Sequence, residues 1–204
     1  MPYLRLEVGE LQTNAYVVFG ARGRQCFIID PGGEGEKILA LIAAEKLLPR
    51  AVVLTHGHAD HVGAAAELTA HFQIPLWVHA GDAGMLRGPE NRGLAAMFGV
   101  QLPPEASRLL ADGENLLLEG LELRVMHSPG HTPGSILLHG EGLLFTGDTL
   151  FREDVGRTDL PGGDEAAMRR SLDRIRELPP ATIILPGHGP DSVLEHELRL
   201  NPYL

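Results

Sequence analysis

The segment Leu54-Thr55-His56-Gly57-His58-Ala59-Asp60-His61 brings four metal-capable side chains into one short stretch of chain. Imidazole nitrogens and carboxylate oxygens are the ligands that zinc, iron and manganese take from proteins. Their spacing argues against a regular element as the scaffold. Residues at i, i+2 and i+4 do not share a helical face, and His61 would point to the opposite side of a strand. An irregular loop is therefore expected, with Gly57 and Ala59 leaving room for the backbone to bend and an ion to approach. The apolar run Ala51-Val52-Val53-Leu54 just before it reads as a buried strand. The cluster thus falls at a strand's carboxyl end, where α/β proteins place their chemistry.

Three later segments offer the further ligands that a closed centre needs: Ser128-Pro129-Gly130-His131-Thr132-Pro133-Gly134, Phe145-Thr146-Gly147-Asp148-Thr149 and Leu185-Pro186-Gly187-His188-Gly189. Leu143 to Thr146 precedes Asp148 and Thr182 to Leu185 precedes His188, repeating the strand-then-ligand design. The candidate set is His56, His58, Asp60, His61, His131, Asp148 and His188. Of the 10 histidines, the remaining ones stay outside it. His79 and His127 end apolar runs, His71 and His196 fall in helix-like sequence, and His139 sits beside a glycine turn. Asp30 either caps a turn before Pro31-Gly32 or hydrogen-bonds a ligand histidine from behind. Asp82 reads as a helix-start residue. The glycine-rich stretch from Gly32 to Lys37 lacks the G-x-x-x-x-G-K-[ST] spacing of a phosphate loop and carries two carboxylates, so it reads as a turn.

The elements that must position these residues follow from periodicity. Tyr3 to Val8, Asn14 to Phe19 and Gln25 to Ile29 suggest an antiparallel opening meander. Gly35 to Lys46 reads as a helix with Ile38, Leu41 and Ile42 on one side, stopped by Pro49. A second helix is expected from Val62 to Phe72. Leu76 to His79, Asn115 to Leu118, Leu121 to Met126, Ile136 to His139 and Leu143 to Thr146 read as strands of a second sheet, broken by Asp112-Gly113 and Glu141-Gly142 turns. Asp164 to Leu178 is an amphipathic helix ended by Pro179-Pro180. A last strand and a short helix from Asp191 close the chain. Gly84 to Pro104 is the least regular stretch, read as a surface excursion in preference to a lid. Two sheets flanked by helices give a four-layer αββα sandwich of α/β class, with the ligand loops converging at one end.

The order T-H-x-H-x-D-H, then His131, then Gly147-Asp148, then Gly187-His188-Gly189 resembles the metallo-β-lactamase superfamily. The resemblance spans most of the chain, beginning near Asn14-Ala15-Tyr16 and Ile29-Asp30-Pro31-Gly32, and implies one such domain over residues 1–204. Within the superfamily the chain is most similar to the glyoxalase II group of hydroxyacylglutathione hydrolases in its short, single-domain form. That likeness implies two divalent ions, zinc first, with iron or manganese also compatible. One ion takes His56, His58 and His131, the other Asp60, His61 and His188, and Asp148 bridges. Asp60 and Asp148 are the implied catalytic carboxylates. Many β-lactam hydrolases carry a cysteine at the second site; its absence here disfavours antibiotic hydrolysis.

Composition is consistent with this. A chain of 204 residues that is 44% hydrophobic is long enough for one domain with a large core. No stretch approaches the roughly 18 apolar residues of a membrane span, and no signal region is visible, so a cytoplasmic protein without membrane contact is expected. The net charge of −10 argues against nucleic acid as a partner. Lysine is scarce, with Lys37 and Lys46 alone against many arginines. Cys26, the single cysteine, lies in the run Cys26-Phe27-Ile28-Ile29 and reads as a buried structural thiol.

The chemistry implied is hydrolysis of a small-molecule thioester such as S-lactoylglutathione, by a hydroxide shared between two cations. A thiolate needs little protonation as it leaves. Glyoxalase II proteins of the longer type append a helical domain that helps to hold glutathione, and 16 residues follow His188 here. The segment Leu150 to Gly163 is the candidate cleft lining. Its Arg157 either binds a substrate carboxylate or pairs with Asp154 or Asp159. The Gly156-Arg157-Thr158-Asp159 string also resembles persulfide dioxygenases of the same superfamily, which use one iron in a two-histidine, one-carboxylate arrangement, here His56, His131 and Asp148. A redox or non-catalytic superfamily member ranks third.

Overall fold

Alternation along the opening strands sorts their side chains onto two different cores. In the computed structural model, which describes residues 1–98 and 101–204, β1 (Tyr3–Val8), β2 (Thr13–Phe19) and β3 (Gln25–Ile29) form the antiparallel meander, with Val17 opposite Ile28 and Val18 opposite Phe27. Val17 and Ile28 face Ile38 and Ile42 of helix α1 (Gly35–Ala44). Val18 and Phe27 face the other way and meet Leu123, Leu138 and Phe145. These belong to a second sheet.

The first sheet continues in parallel through β4 (Leu48–Val53), β5 (Leu76–His79) and β6 (Arg108–Leu110), in spatial order β1-β2-β3-β4-β5-β6. Between β4 and β5 lie α2 (Ala59–Val62) and α3 (Ala65–Phe72), and after β5 come a 3-10 turn, Met85–Arg87, and α4 (Pro89–Phe98). The second sheet contains β7 (Asn115–Leu118), β8 (Leu121–His127), β9 (Ile136–Gly140), β10 (Leu143–Gly147), β13 (Ile183–Pro186) and β14 (Ser192–Val193). A small hairpin, β11 (Leu150–Phe151) with β12 (Asp154–Val155), follows β10. Helices α5 (Glu165–Arg176) and α6 (Leu194–Leu200) cover the outer face of the second sheet, where Met168, Leu172, Ile175 and Leu194 pack on Leu137, Leu144 and Ile184. Three cores separate four layers, the expected αββα sandwich. Each fully buried Leu, Ile, Val or Phe in them contributes about 1.5–3 kcal/mol relative to exposure.

Several expectations need correction. Leu76–His79 pairs in parallel with β4 in the first sheet, not in the second. Helix α1 ends at Ala44, with Lys46 at φ 54° turning the chain, and Pro49 lies inside β4. The ladder between β3 and β4 slips at Cys26/Phe27, beside the proline, as expected where a strand residue has no N–H to donate. The helix expected from Val62 to Phe72 is two, interrupted at Gly63-Ala64, and the first begins within the ligand motif. Gly84 to Pro104 is not irregular throughout: it holds the 3-10 turn and α4, while residues 99–100 lie outside the described residues. Asp164 caps α5, accepting the Ala167 N–H at 2.9 Å. No helix among the described residues is long and apolar enough to cross a membrane.

Candidate metal centre

The ligand motif is half loop and half helix. His56 and His58 follow the end of β4, and Asp60 and His61 ride on α2. A buried carboxylate behind them sets their orientation. Asp30, 2% exposed and at φ 47°, follows β3. Its Oδ1 accepts the Thr55 N–H at 2.7 Å, and its Oδ2 accepts both the Thr55 hydroxyl and, at 3.0 Å, the Nδ1–H of His61. Having given its hydrogen to Asp30, the Thr55 Oγ1 accepts from His56 Nδ1 at 3.1 Å. One side chain therefore fixes two imidazoles, one directly and one through Thr55. Of the two roles weighed for Asp30, the structure shows the supporting one.

The two remote histidines are held the same way. His131 Nδ1 donates to the Arg157 carbonyl at 2.8 Å, and His188 Nδ1 donates to the Leu11 carbonyl at 3.0 Å. A carbonyl can only accept, so each ring carries its hydrogen on the outer nitrogen and turns a lone pair inward. His61 Nε2 and His188 Nε2 then stand 3.2 Å apart, a separation that needs a proton or a metal cation between the two nitrogens. Ligand bonds of about 2.0–2.1 Å at tetrahedral angles place neighbouring nitrogens roughly 3.3 Å apart. His58 faces the centre through Nδ1, 2.9 Å from His131 Nε2. His56 Nε2 and Asp148 Oδ1 are buried with no hydrogen-bond partner. Orphaned acceptors aimed at one spot fit a metal ion.

The inward atoms of His56, His58 and His131 form one group, and those of Asp60, His61 and His188 another, each within 4.8 Å. Asp148 reaches both: its Oδ2 lies 3.6 Å from His131 Nε2 and 3.7 Å from His188 Nε2, and its Oδ1 3.3 Å from His61 Nε2. All seven candidate ligands come together in one cluster. A further grouping of Asp30 with His56 and His61 uses their outer nitrogens, which are already hydrogen-bonded.

Charge follows this geometry. Burial and the neighbouring imidazoles of His61 and His131 push His56 well below the ordinary histidine range, and burial with His131 brings His58 down to about 4. Burial opposes charging His61 too, yet the carboxylates of Asp148, Asp60 and Asp30 outweigh it and hold its pKa well above the usual value. His188 is likewise raised against burial, by Asp60 and Asp148. Asp60 and Asp148 are lowered, because His61 and His188 outweigh the desolvation of their carboxylates.

Other residues that sequence reasoning missed hold the loops. Asp82, expected at a helix start, is fully buried and ties the ligand loop to the His131 loop. It accepts the Gly57 N–H at 2.9 Å, the Thr132 hydroxyl at 2.7 Å and the Gly134 N–H at 2.6 Å. Asn91 of α4 donates to the Gly57 carbonyl at 2.7 Å. Asn14 donates to the Pro186 and Gly189 carbonyls on either side of His188, both at 2.9 Å, and Tyr16 to Pro186 at 2.8 Å. A polar residue opening an apolar strand, as Asn14 does, was the available signal. Gly187 is needed for space: a Cβ there would sit 2.3 Å from Asp148 Oδ1. Arg157 lines the cleft, but its guanidinium forks onto Asp159 at 2.7 and 2.9 Å. That is the salt bridge of its two weighed roles, and its contact with the centre is through its carbonyl.

Residues 8–188 match the family model described as the metallo-beta-lactamase superfamily. The chain belongs to the metallo-β-lactamase superfamily. Within it, the chain is 39% identical to the hydroxyacylglutathione hydrolase GloC of Haemophilus influenzae, over 98% of this chain and 96% of that one. It is 36% identical to the probable metallo-hydrolase YqgX of Bacillus subtilis, covering 100% and 98%. Among solved structures, BLEG-1 B3 metallo-beta-lactamase superposes with a TM-score of 0.92 at 36% identity, covering 100% and 99%. TTHA1623 in a di-iron-bound form gives 0.89 at 41%, covering 98% and 100%. ETHE1 from Myxococcus xanthus gives 0.84 at 27%, covering 99% and 84%. The superfamily fold thus extends over the whole described sandwich.

Proposed function

We propose that this protein is a metal-dependent hydrolase that cleaves a small-molecule thioester, S-lactoylglutathione being the first to test. The observation that carries the reading is the pair of inward-facing ligand groups with Asp148 in reach of both. The relative GloC, a hydroxyacylglutathione hydrolase, supports the substrate class. Two divalent cations at these groups would activate water for attack and polarise the thioester carbonyl. Zinc suits the histidine-rich donors best, and iron or manganese also fit.

The chain's own residues do the positioning. Asp30 and the carbonyls of Leu11 and Arg157 lock the ligand rings with lone pairs inward, so little reorganisation accompanies reaction. Asp60 and Asp148, held as carboxylates, balance the charge and orient the attacking water. A departing thiolate asks for no general acid. Release of a free thiol as product and a single buried cysteine, Cys26, suit a cytoplasmic setting.

The test is an anaerobic incubation of metal-loaded protein with S-D-lactoylglutathione, following thiol release. Hydrolysis should need no oxygen, and Asp60→Asn or Asp148→Asn should slow it by orders of magnitude. The second reading is a mononuclear iron persulfide dioxygenase using His56, His131 and Asp148, supported by the likeness to ETHE1. Oxygen uptake with glutathione persulfide, metal binding that never exceeds one ion per chain, and no anaerobic thioester cleavage would establish it instead. A β-lactam run alongside tests the likeness to BLEG-1.

A further inference from the structure

The centre is polar, but the walls around it are not. An opening of about 750 Å³ over the ligand cluster is walled by Leu11, from the turn between β1 and β2, by Phe151 and Val155 of the β11–β12 hairpin, and by Leu160 beyond it. Leu11 is 59% exposed, so its side chain fills no core. It is nevertheless fixed in place, because its carbonyl holds His188 at 3.0 Å. Phe151 presents its ring edge-on to His188, centroids 6.2 Å apart. An exposed leucine and a phenylalanine anchored on the same ligand histidine make an apolar rim at the reacting centre.

Charge points the same way. Among the described residues lining this opening, Arg157 is the one arginine or lysine, and both forks of its guanidinium are occupied by Asp159. Glutathione brings two carboxylates, and the described lining offers them no free cation. An alkyl chain finds Leu11, Phe151 and Leu160 instead.

We propose that the natural substrate carries an apolar, uncharged acyl chain of several carbons, bound against this rim, and that the thiol carrier is not selected by its charge. The proposal rests on the thioesterase reading above. In the reaction water's oxygen forms the new bond to the acyl carbon and the C–S bond breaks with its electron pair going to sulfur; of water's two protons one ends on the thiol and the other passes to solvent as the acid ionises. The products are a fatty or branched-chain acid and a free thiol, with no redox step.

Two measurements on the metal-loaded protein test this. The first is kcat/KM for thioesters of neutral N-acetylcysteamine, acetyl through octanoyl, beside S-D-lactoylglutathione. The second is calorimetric binding of straight-chain carboxylates from acetate to octanoate, which needs no turnover. Each methylene buried on the rim should raise both by about two- to fourfold, and binding should show a negative heat-capacity change. The double variant Leu11→Ser, Leu160→Ser should flatten both slopes while the metal content stays as in the parent. Thioesters cleaved with flat or falling slopes, or S-D-lactoylglutathione preferred over the hexanoyl ester, would overturn the proposal through the cleft. A rising carboxylate series with no thioester cleaved would overturn it through the reaction.

Discussion

Removing Asp82 should empty one half of the centre before the other. Its carboxylate touches neither ligand group directly, yet it accepts three buried hydrogen bonds, from Gly57 and Gly134 N–H and the Thr132 hydroxyl. Gly57 stands between His56 and His58, and Thr132 is next to His131, so all three ligands of the first group hang on loops that this residue joins. Asp82→Ala leaves those donors facing a dry void. At about 1.5 kcal/mol for each of the three bonds to a carboxylate, the loss sums to roughly 4.5 kcal/mol. Spread over a chain of this size, that lowers Tm by about 9–18 °C. Losing ligand support of this kind weakens metal affinity by about 10–100-fold, and here the effect should fall on the group of His56, His58 and His131. The group of Asp60, His61 and His188 leans instead on Asp30 and the Leu11 carbonyl. Stepwise Co(II) titration against a competing chelator, with calorimetry on the same samples, reads both quantities. Equal weakening of the two binding steps, or an unchanged first step, would refute the argument that Asp82 acts through these loops.

Other outcomes follow from the same geometry. Gly187→Ala puts a methyl group 2.3 Å from Asp148 Oδ1 and 2.7 Å from His61 Cε1; elemental analysis should show metal content falling by half or more while circular dichroism stays native. Lowering pH should strip the group of Asp60, His61 and His188 first. His61 and His188 have raised pKa values and take up protons that the metal must displace, whereas His58, at about 4, keeps its lone pair free well below neutrality. In the metal-free protein the raised His61 contributes stability that is present below the ordinary histidine pKa and lost as pH rises through its folded value. Thermal melts from pH 5 to 9, with and without metal, check both signs. Glu197 of α6 is fully buried and accepts the Ser192 hydroxyl, the Asn201 amide at 2.9 Å and the Glu153 N–H at 2.8 Å at the tip of the β11–β12 hairpin. Glu197→Ala should free that tip, accelerating tryptic cleavage after Arg152 several-fold, and Glu197→Gln should restore most of the protection.

The residues of the cluster were legible from the sequence because His56, His58, His131, Asp148 and His188 each have a glycine beside them, and Asp60 and His61 follow in the same motif after β4. Periodicity likewise placed β1, β3, β5 and β7 to the residue. What escaped was whatever periodicity does not encode. Strands of two or three residues, such as β6, β11 and β12, are too short to alternate. Helix α4 follows Pro89 in a run with Glu90, Asn91, Arg92 and Gly93, where no apolar stripe announces it. Asp82 and Asn91 escaped for a different reason: each works through backbone atoms of Gly57, and a sequence shows which side chains are polar without showing which amides they will meet.

That asymmetry has a physical origin in how the centre is built. His61 Nε2 and His188 Nε2, 3.2 Å apart, are brought together by the fold itself, and a proton on the raised His61 takes the place of a cation between them until metal arrives. The holding groups are second neighbours: Asp30 behind His61, the Leu11 carbonyl behind His188, and Asn14 clamping the loop on either side. They sit at the ends of β2 and β3 or in the turns beside them, within the first sheet, while His188 arrives from β13 in the second. The centre is therefore strung across the seam between the sheets, and the apolar core of Tyr16, Phe27 and Phe145 between them fixes its spacing. Tyr16 belongs to both, its ring 5.0 Å from Phe145 and its hydroxyl donating to Pro186 two residues before His188. Packing between the sheets and metal geometry are thereby one mechanical problem, and a residue far from any ligand can move the centre by shifting one sheet against the other.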